Sequence, residues 1–468
     1  MTPMLDGCTP WPEEFVDRYW AAGHWRGNTL HNLLRGWAVE YGPRTAVVHG
    51  ATRLTYAALD RRVGRMAAGF RLLALRPGQR VVVQLPNVPE FVVTVFALMR
   101  AGAVPVLCPL SLPPHEVAGL VRLTQAVGYV GPSTYRGFDH TAMAAGIAAD
   151  GPFLRRVFTY EAPGTASPYG GFTIDPSGCH HVPLGSVDAP PERDLALSAD
   201  NVAFMLLSAG TRPGSVPPLV PRTHNDYAYQ MRAAAELVAL TGSDAYLAAL
   251  PPENNVALGC PGILGTLSVG GTVVLVDAPE PAACLPVIER ERVTIVSAGP
   301  AVAELWLDAL PAARADVTSL RLVQIGDPPA VRSHHREPVG RTGPGSGCRL
   351  QRVVGGAEGP LVFTPPADPE DPPLAAHGRP LSPDDEIRIV AADGEDLPDG
   401  EPGELLARGP YTPRGYYRAP ARNARRFTTD GYLRTGVLAY RTADGGLVTT
   451  GHLADDPLRP GDEVPSDR

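Results

Sequence analysis

No residue of this 468-residue chain carries a side-chain amine: all 41 of its lysine-plus-arginine residues are arginine. Schiff-base chemistry and a lysine grip on phosphate are therefore excluded within these residues. The six cysteines (Cys8, Cys108, Cys179, Cys260, Cys284 and Cys348) are scattered, with no CxxC pair and no metal-ligand spacing. They read as buried free thiols. His180 and His181 follow Cys179, and His334 and His335 form a second pair. Adjacent side chains point in different directions on a helix or strand. Both pairs thus read as solvent-exposed loop histidines rather than metal ligands. Arg418, Arg422, Arg425 and Arg426 form a basic cluster, read first as a solvated helix face and second as a docking patch for an acidic carrier protein.

Positioning such groups falls to an alternation of helices and strands. Leu54 to Leu75 has helical apolar spacing, RVVVQLP (80–86) reads as a buried strand, and EFVVTVFALMRAGAVPVLCP as a helix feeding another strand. That rhythm predicts an α/β fold with largely parallel sheets. A Pro/Gly/Ser-rich passage at about 162–191 separates it from a second α/β block, whose strands are AYLAALP, GGTVVLVD, VTIVSAGP and LRLVQIGD. From about 384, EIRIV, GELLARGP and GGLVTTG suggest a small β unit. The expected division is 1–190, 191–383 and 384–450, two stacked α/β subdomains and a small β-barrel-like one. A net charge of −8 argues against a nucleic-acid partner. The first residues lack a basic-then-apolar leader and no apolar run is bilayer-length, so a cytoplasmic protein without membrane partners is expected.

Six stretches, TPWPEEFVDRYWAAGHWRGNTL, VVVQLPNVPEFV, PRTHNDY, YLAALPPENN, PLSPDDEIRIV and RGPYTPRGYYRAPARNARRFTTDGYLRTG, occur in one order across the chain. Together they resemble the adenylate-forming superfamily, specifically stand-alone aryl-acid AMP ligases that load 2,3-dihydroxybenzoate or salicylate. The resemblance implies an N-terminal region that holds acid and nucleotide, and a mobile C-terminal domain that supplies a lysine. GHLADDPLRPGDEV matches the family hinge, with Asp455 at the hinge aspartate. Residues 451–468 are thus expected to be a hinge remnant without a C-terminal domain.

Departures from the family pattern fall on the nucleotide side. The phosphate-loop equivalent is LLSAGTRPGSVPPLVPRTH, Leu206 to His224. Ser208, Gly210, Thr211, Gly214 and Ser215 keep some anion-binding character, and Arg212 is a phosphate candidate. Pro213, Pro217 and Pro218 remove three N–H donors, and a proline falls near the lysine slot. A degenerate phosphate cradle and a reshaped surface loop are the two readings. After RTG at 434–436 the family carries an aspartate that accepts both ribose hydroxyls; here Val437 stands there, and Gly451 and His452 replace a Gly-Arg pair. The glycines flanking adenine correspond to Gly326, Asp327, Pro328 and Pro329. Glu358 matches the glutamate that bears Mg²⁺ in relatives. ATP and Mg²⁺ binding are expected to be weak or lost, with no other cofactor or metal; Glu358 is a metal ligand only if Mg²⁺ is retained.

The acid side is better kept. In PPENNVALGCPG, Asn255 matches the asparagine that contacts the aryl acid, Cys260 a position facing the ring, and Asn254 replaces a histidine, with Glu253 before it. Val353 joins Asn254, Asn255, Cys260, Gly326 and Asp327 as expected substrate-binding residues. Alternatively, Asn254 and Asn255 organise a turn and Cys260 packs in the core. Candidate acid/base groups are His224, Glu253, Glu358 and His452.

Three functions follow. The first is a repurposed homologue, a pseudoenzyme for adenylation, that binds an aryl acid or aryl intermediate in a siderophore-type or nonribosomal-peptide pathway and catalyses at most an ATP-independent step. The second is a non-catalytic partner of a carrier protein or an intact ligase. The third is true adenylation helped by a C-terminal domain in trans.

Overall fold

A computed structural model describes residues 4–162, 171–208, 214–327, 348–364 and 378–453. Two eight-stranded sheets and a four-stranded antiparallel sheet make up its main β-structure. In the first large sheet the order is Leu219–Thr223, Val202–Leu207, Val104–Leu107, Arg80–Val83, Gly128–Pro132, Arg156–Tyr160, His180–Pro183 and Thr173–Ile174. In the second it is Gly359–Phe363, Arg349–Gly356, Leu322–Asp327, Ile295–Ala298, Ala245–Ala248, Thr272–Leu275, Thr45–His49 and Thr52–Thr55. The inner strands of both pair in parallel, as the helix–strand alternation predicted.

The sheets do not follow the 190/191 division. Thr45–His49 and Thr52–Thr55 belong to the second sheet, and Val202–Leu207 and Leu219–Thr223 complete the first. Sequence patterning shows that a strand exists, whereas its neighbour is chosen by contacts far along the chain: Val47 pairs with Val273 and Met205 with Val106. The described part of that passage, 171–191, is also more ordered than its composition suggested, since His180–Pro183 pairs in parallel with Arg156–Tyr160.

The central helix, Pro89–Arg100, buries every residue except Glu90. A helix apolar all round must be covered on all sides. It lies in the largest apolar cluster, which joins Val81 and Val83 of one sheet to Val47 and Val273 of the other. Three parallel strands of the second sheet also carry a buried polar chain. Ser297 Oγ donates to Gln324 Oε1 (2.9 Å), Gln324 Nε2 to Gln351 Oε1 (2.8 Å), and Gln351 Nε2 to the Thr364 carbonyl (3.0 Å). Each group has a partner, so the chain fixes strand register at little desolvation cost. No helix among the described residues is long and apolar enough to cross a membrane.

Candidate functional site

The best-defined polar centre grows from the helix His224–Leu237. Thr223 caps it by accepting from the Asp226 N–H (3.1 Å), and Asp226 accepts in return from the Thr223 N–H (2.6 Å) and hydroxyl (2.8 Å). Three residues apart on this helix, Tyr227 and Gln230 share a face. Both donate to Asn255 Oδ1, at 2.9 and 3.0 Å, and Gln230 Nε2 also reaches Cys260 Sγ at 3.3 Å. Asn255 Nδ2 donates to the Gly356 carbonyl (2.8 Å). An amide nitrogen carries two protons, so one remains to donate to an oxygen brought against this wall.

Behind it lies Arg222, completely buried. Its guanidinium donates to Asp226 (2.9 Å), Gln230 Oε1 (2.9 Å) and the carbonyls of Ala357 and Tyr411 (both 3.1 Å). Burial raises the Asp226 carboxyl against the opposing pull of Arg222, and pushes the Cys260 thiol up to about 12. Cys260 is therefore a neutral thiol at physiological pH, unsuited to nucleophilic attack.

A second polar group stands at the phosphate-loop equivalent. The strands Val202–Leu207 and Leu219–Thr223 form a hairpin closed by the Ser208 N–H to the Pro218 carbonyl (2.9 Å). Ser208 Oγ and Tyr416 Oη (2.8 Å) both donate to Glu358 Oε1. Glu358 is the carboxylate here that could hold a hard cation, which commonly takes one carboxylate together with water and phosphate oxygens. Across the loop, the Gly214 N–H donates to Glu116 Oε1 (3.0 Å), a buried carboxylate in the first turn of Pro114–Thr124. Gly210, Thr211, Arg212 and Pro213 lie outside the described residues.

Comparison with known proteins settles the family. The model of the AMP-binding enzyme family matches residues 34–417. This chain belongs to that adenylate-forming family. Relatives include a 2,3-dihydroxybenzoate-AMP ligase of Bacillus subtilis (strain 168), 39% identical over 98% of this chain and 82% of the relative. A salicylyl-CoA synthase / salicylate adenylyltransferase of a Streptomyces species is 41% identical over 98% and 81%. The apo structure of Mycobacterium smegmatis MbtA superposes with a TM-score of 0.83 at 39% identity, covering 96% of this chain and 80% of that one.

Within this adenylate-forming scaffold, the remaining candidates separate. His224 is a core residue rather than a cleft wall: its Nδ1 accepts from the Leu30 N–H (3.2 Å), its ring packs edge-on to His31, and burial depresses it to about 3. A histidine that stays neutral across physiological pH is a poor proton shuttle. Exposed Asn254 caps Asn255–Gly259, accepting from the N–H groups of Val256 (2.9 Å) and Ala257 (3.4 Å). Its side-chain oxygen is thus committed to the turn. Glu253, in that turn, has its carboxyl pushed up to about 7 by burial.

Gly326 and Val353 are paired neighbours on adjacent strands, and a side chain at Gly326 would meet Val256. Asp327 ends its strand. His452 is half-buried opposite Val437. Val437 itself is only 1% exposed and packs with Val354, Val362, Leu405 and Ala439.

The basic cluster is not a uniform solvated face. Arg426 is buried, Arg418 pairs with Asp6 (3.2 Å) and Arg422 lies over the Tyr416 ring, while Arg425 is exposed. Arg222, Tyr227, Gln230 and Glu116 were not singled out from sequence. PRTHNDYAYQ held the signal for three of them, since helical spacing aligns Tyr227 with Gln230 and places Arg222 just before the cap.

Proposed function

We propose that this chain binds an aryl carboxylic acid of the salicylate class against Asn255 and Cys260, in a siderophore-type or related biosynthetic setting. We further propose that it does not complete an adenylate at the rate of its relatives. The observation that carries the second half is Val437. It occupies the position where the family's aspartate accepts the ribose hydroxyls, and its isopropyl group is packed inside an apolar cluster. Leaving two hydroxyls unmatched costs about 1–3 kcal/mol each. The Glu116 carboxylate also takes the Gly214 N–H in the phosphate loop, so a polyphosphate would have to displace a like charge to gain that donor.

Mg²⁺ fits Glu358 by ligand chemistry, and there it would neutralise phosphate charge. Its usual co-ligand, a bound nucleotide, is what the Val437 side disfavours. On the acid side, the second amide proton of Asn255 suits a carboxylate or phenolate oxygen, while Cys260 offers the ring a soft, weakly hydrogen-bonding wall. If an ATP-independent proton transfer takes place, Glu253 is a candidate, its carboxyl pushed up to about 7 by burial.

Differential scanning with a panel of aryl acids tests the first half. Salicylate-like acids should raise the melting temperature, and Asn255→Ala should abolish the shift. No shift with any acid would end the aryl-acid reading. Acid-dependent pyrophosphate exchange, with a lysine-bearing C-terminal domain supplied in trans, tests the second half. Robust exchange by the unmodified chain would establish true adenylation instead.

A further inference from the structure

The turn joining Thr173–Ile174 to His180–Pro183 brings together three metal-ligating side chains that no part of the adenylate-forming site uses. Asp175, Cys179 and His181 present a carboxylate oxygen, a thiol sulfur and an imidazole nitrogen, all within 4.8 Å of one another. Cys179 is fully buried and His181 is 7% exposed.

Local backbone structure explains the convergence. The turn Asp175-Pro-Ser-Gly-Cys179 is closed by the Asp175 N–H to the Cys179 carbonyl (3.0 Å) and the Gly178 N–H to the Asp175 carbonyl (2.9 Å). Gly178 takes the left-handed conformation the turn requires (φ +78°). Asp175 Oδ1 accepts from the Ser177 N–H (2.9 Å), Ser177 Oγ (2.6 Å) and the Cys179 N–H (3.0 Å). Those bonds fix the carboxylate plane and leave Oδ2 facing His181 Nε2 at 3.0 Å. Beyond Cys179 the strand alternates: His180 packs on Phe172 and His181 turns inward.

Two features suit this hydrogen-bonded turn to an ion. The O···N separation of 3.0 Å is close to the about 3.3 Å edge that two ligands at zinc bond lengths span in a tetrahedron. In addition, His181 Nδ1 is buried without a hydrogen-bond partner. The ring is thus held by a single polar contact, Nε2 to Asp175, and Nε2 without its proton is the nitrogen that would face an ion beside that carboxylate.

We propose that Asp175, Cys179 and His181 form a binding site for a borderline divalent metal ion, zinc by its oxygen, nitrogen and sulfur ligand set. Three protein ligands leave the fourth position to water. The site sits on the strand pair at one edge of the first sheet, whereas Ser208 follows Val202–Leu207 near the opposite edge, five strand spacings away. At about 4.8 Å per spacing that is roughly 24 Å, so the ion acts as a staple for this short hairpin and not as a reagent at the acid site.

Cobalt(II) provides the direct test. The full chain, stripped of metal by a chelator, should on cobalt addition develop a near-ultraviolet thiolate-to-cobalt charge-transfer band and the visible bands of tetrahedral coordination. Cys179→Ser should remove the charge-transfer band and His181→Gln should weaken binding at least tenfold, while Cys284→Ser, at another buried thiol, should leave the spectrum unchanged. Zinc should compete the cobalt away and raise the melting temperature of the wild-type chain but not of Cys179→Ser. Absence of the band in wild type, or its persistence in a folded Cys179→Ser variant, would overturn the proposal. Either result is independent of aryl-acid binding, which is read by the Asn255→Ala shift.

Discussion

The wall around Asn255 and the wall around Val437 face opposite demands. At Asn255 a buried arginine, glutamine, tyrosine and asparagine satisfy one another, and one amide proton remains to meet a ligand. At Val437 the corresponding surface is aliphatic and closed. A polar network inside a core is expensive unless complete, so the half around Asn255 carries a tight structural constraint. An aliphatic side chain at Val437 lets the neighbouring strands pack as ordinary core. The two halves therefore differ in how readily they can be altered.

The largest expected effect breaks the acid-facing half. Arg222→Ala leaves Asp226 as an uncompensated buried charge and strands the carbonyls of Ala357 and Tyr411. Removing one partner of such a pair costs about 3–5 kcal/mol. Urea unfolding should show that loss, and salicylate protection should vanish with it. A loss below about 1 kcal/mol would mean that the network is dispensable.

On the other side, Val437→Asp places a carboxylate among Val354, Val362, Leu405 and Ala439. The expected cost is about 2–3 kcal/mol of stability, with little gain in ATP affinity while the proline-bearing loop remains. A variant that binds ATP tightly without loss of stability would show that the position opens to the nucleotide after all.

Much of the scaffold was readable beforehand because its signals are local. EFVVTVFALMR announced a helix, and the apolar runs at 80–86, 245–251 and 320–327 announced parallel strands. Sheet membership was not readable, since the partner of Thr45–His49 lies more than 200 residues away. Asn255, Cys260 and Glu358 were named from motif position, and each stands in a hydrogen-bonded cluster; Arg222 and Gln230 were missed because a buried arginine and glutamine look like surface residues until their partners are known. The histidine pair is the clearest lesson. The rule that adjacent strand residues face opposite ways was sound, but it implied one inward histidine, and His181 is that residue.

A smaller effect concerns Asp385, which ties the four-stranded sheet to the Arg222 network by accepting from Tyr411 Oη. Burial, with Asp384 nearby adding to it, pushes its carboxyl up to about 7. A carboxyl raised on folding contributes stability that is fully present below its unfolded value near 4 and is lost as pH rises through 7. Asp385→Asn should therefore be relatively more stable at pH 8 than at pH 5, compared with wild type, by on the order of 2 °C. Glu253 titrates with the same sign and stays in both proteins, so the comparison isolates Asp385. Parallel melting curves across this range would show that the carboxyl is not raised.

The smallest effect is the sharpest probe of the phosphate loop. Glu116→Gln keeps an acceptor for the Gly214 N–H (3.0 Å) but removes the negative charge. A hydrogen bond to a charged group is worth about 1.5–3 kcal/mol against about 1 for a neutral one, so the loop should be held slightly less firmly. Stability should fall by no more than about 1 kcal/mol. ATP affinity should rise by less than about tenfold, because the carboxylate no longer competes for the donor while the ribose site stays aliphatic. Combined with Val437→Asp, the gain should exceed the sum of the two single changes, since triphosphate and ribose would then be held by one rigid molecule. Calorimetric titration of the four proteins with ATP measures this directly. No gain from Glu116→Gln in either background would show that the obstacle on the nucleotide side is the aliphatic ribose wall alone, and strict additivity would show that the two positions act independently.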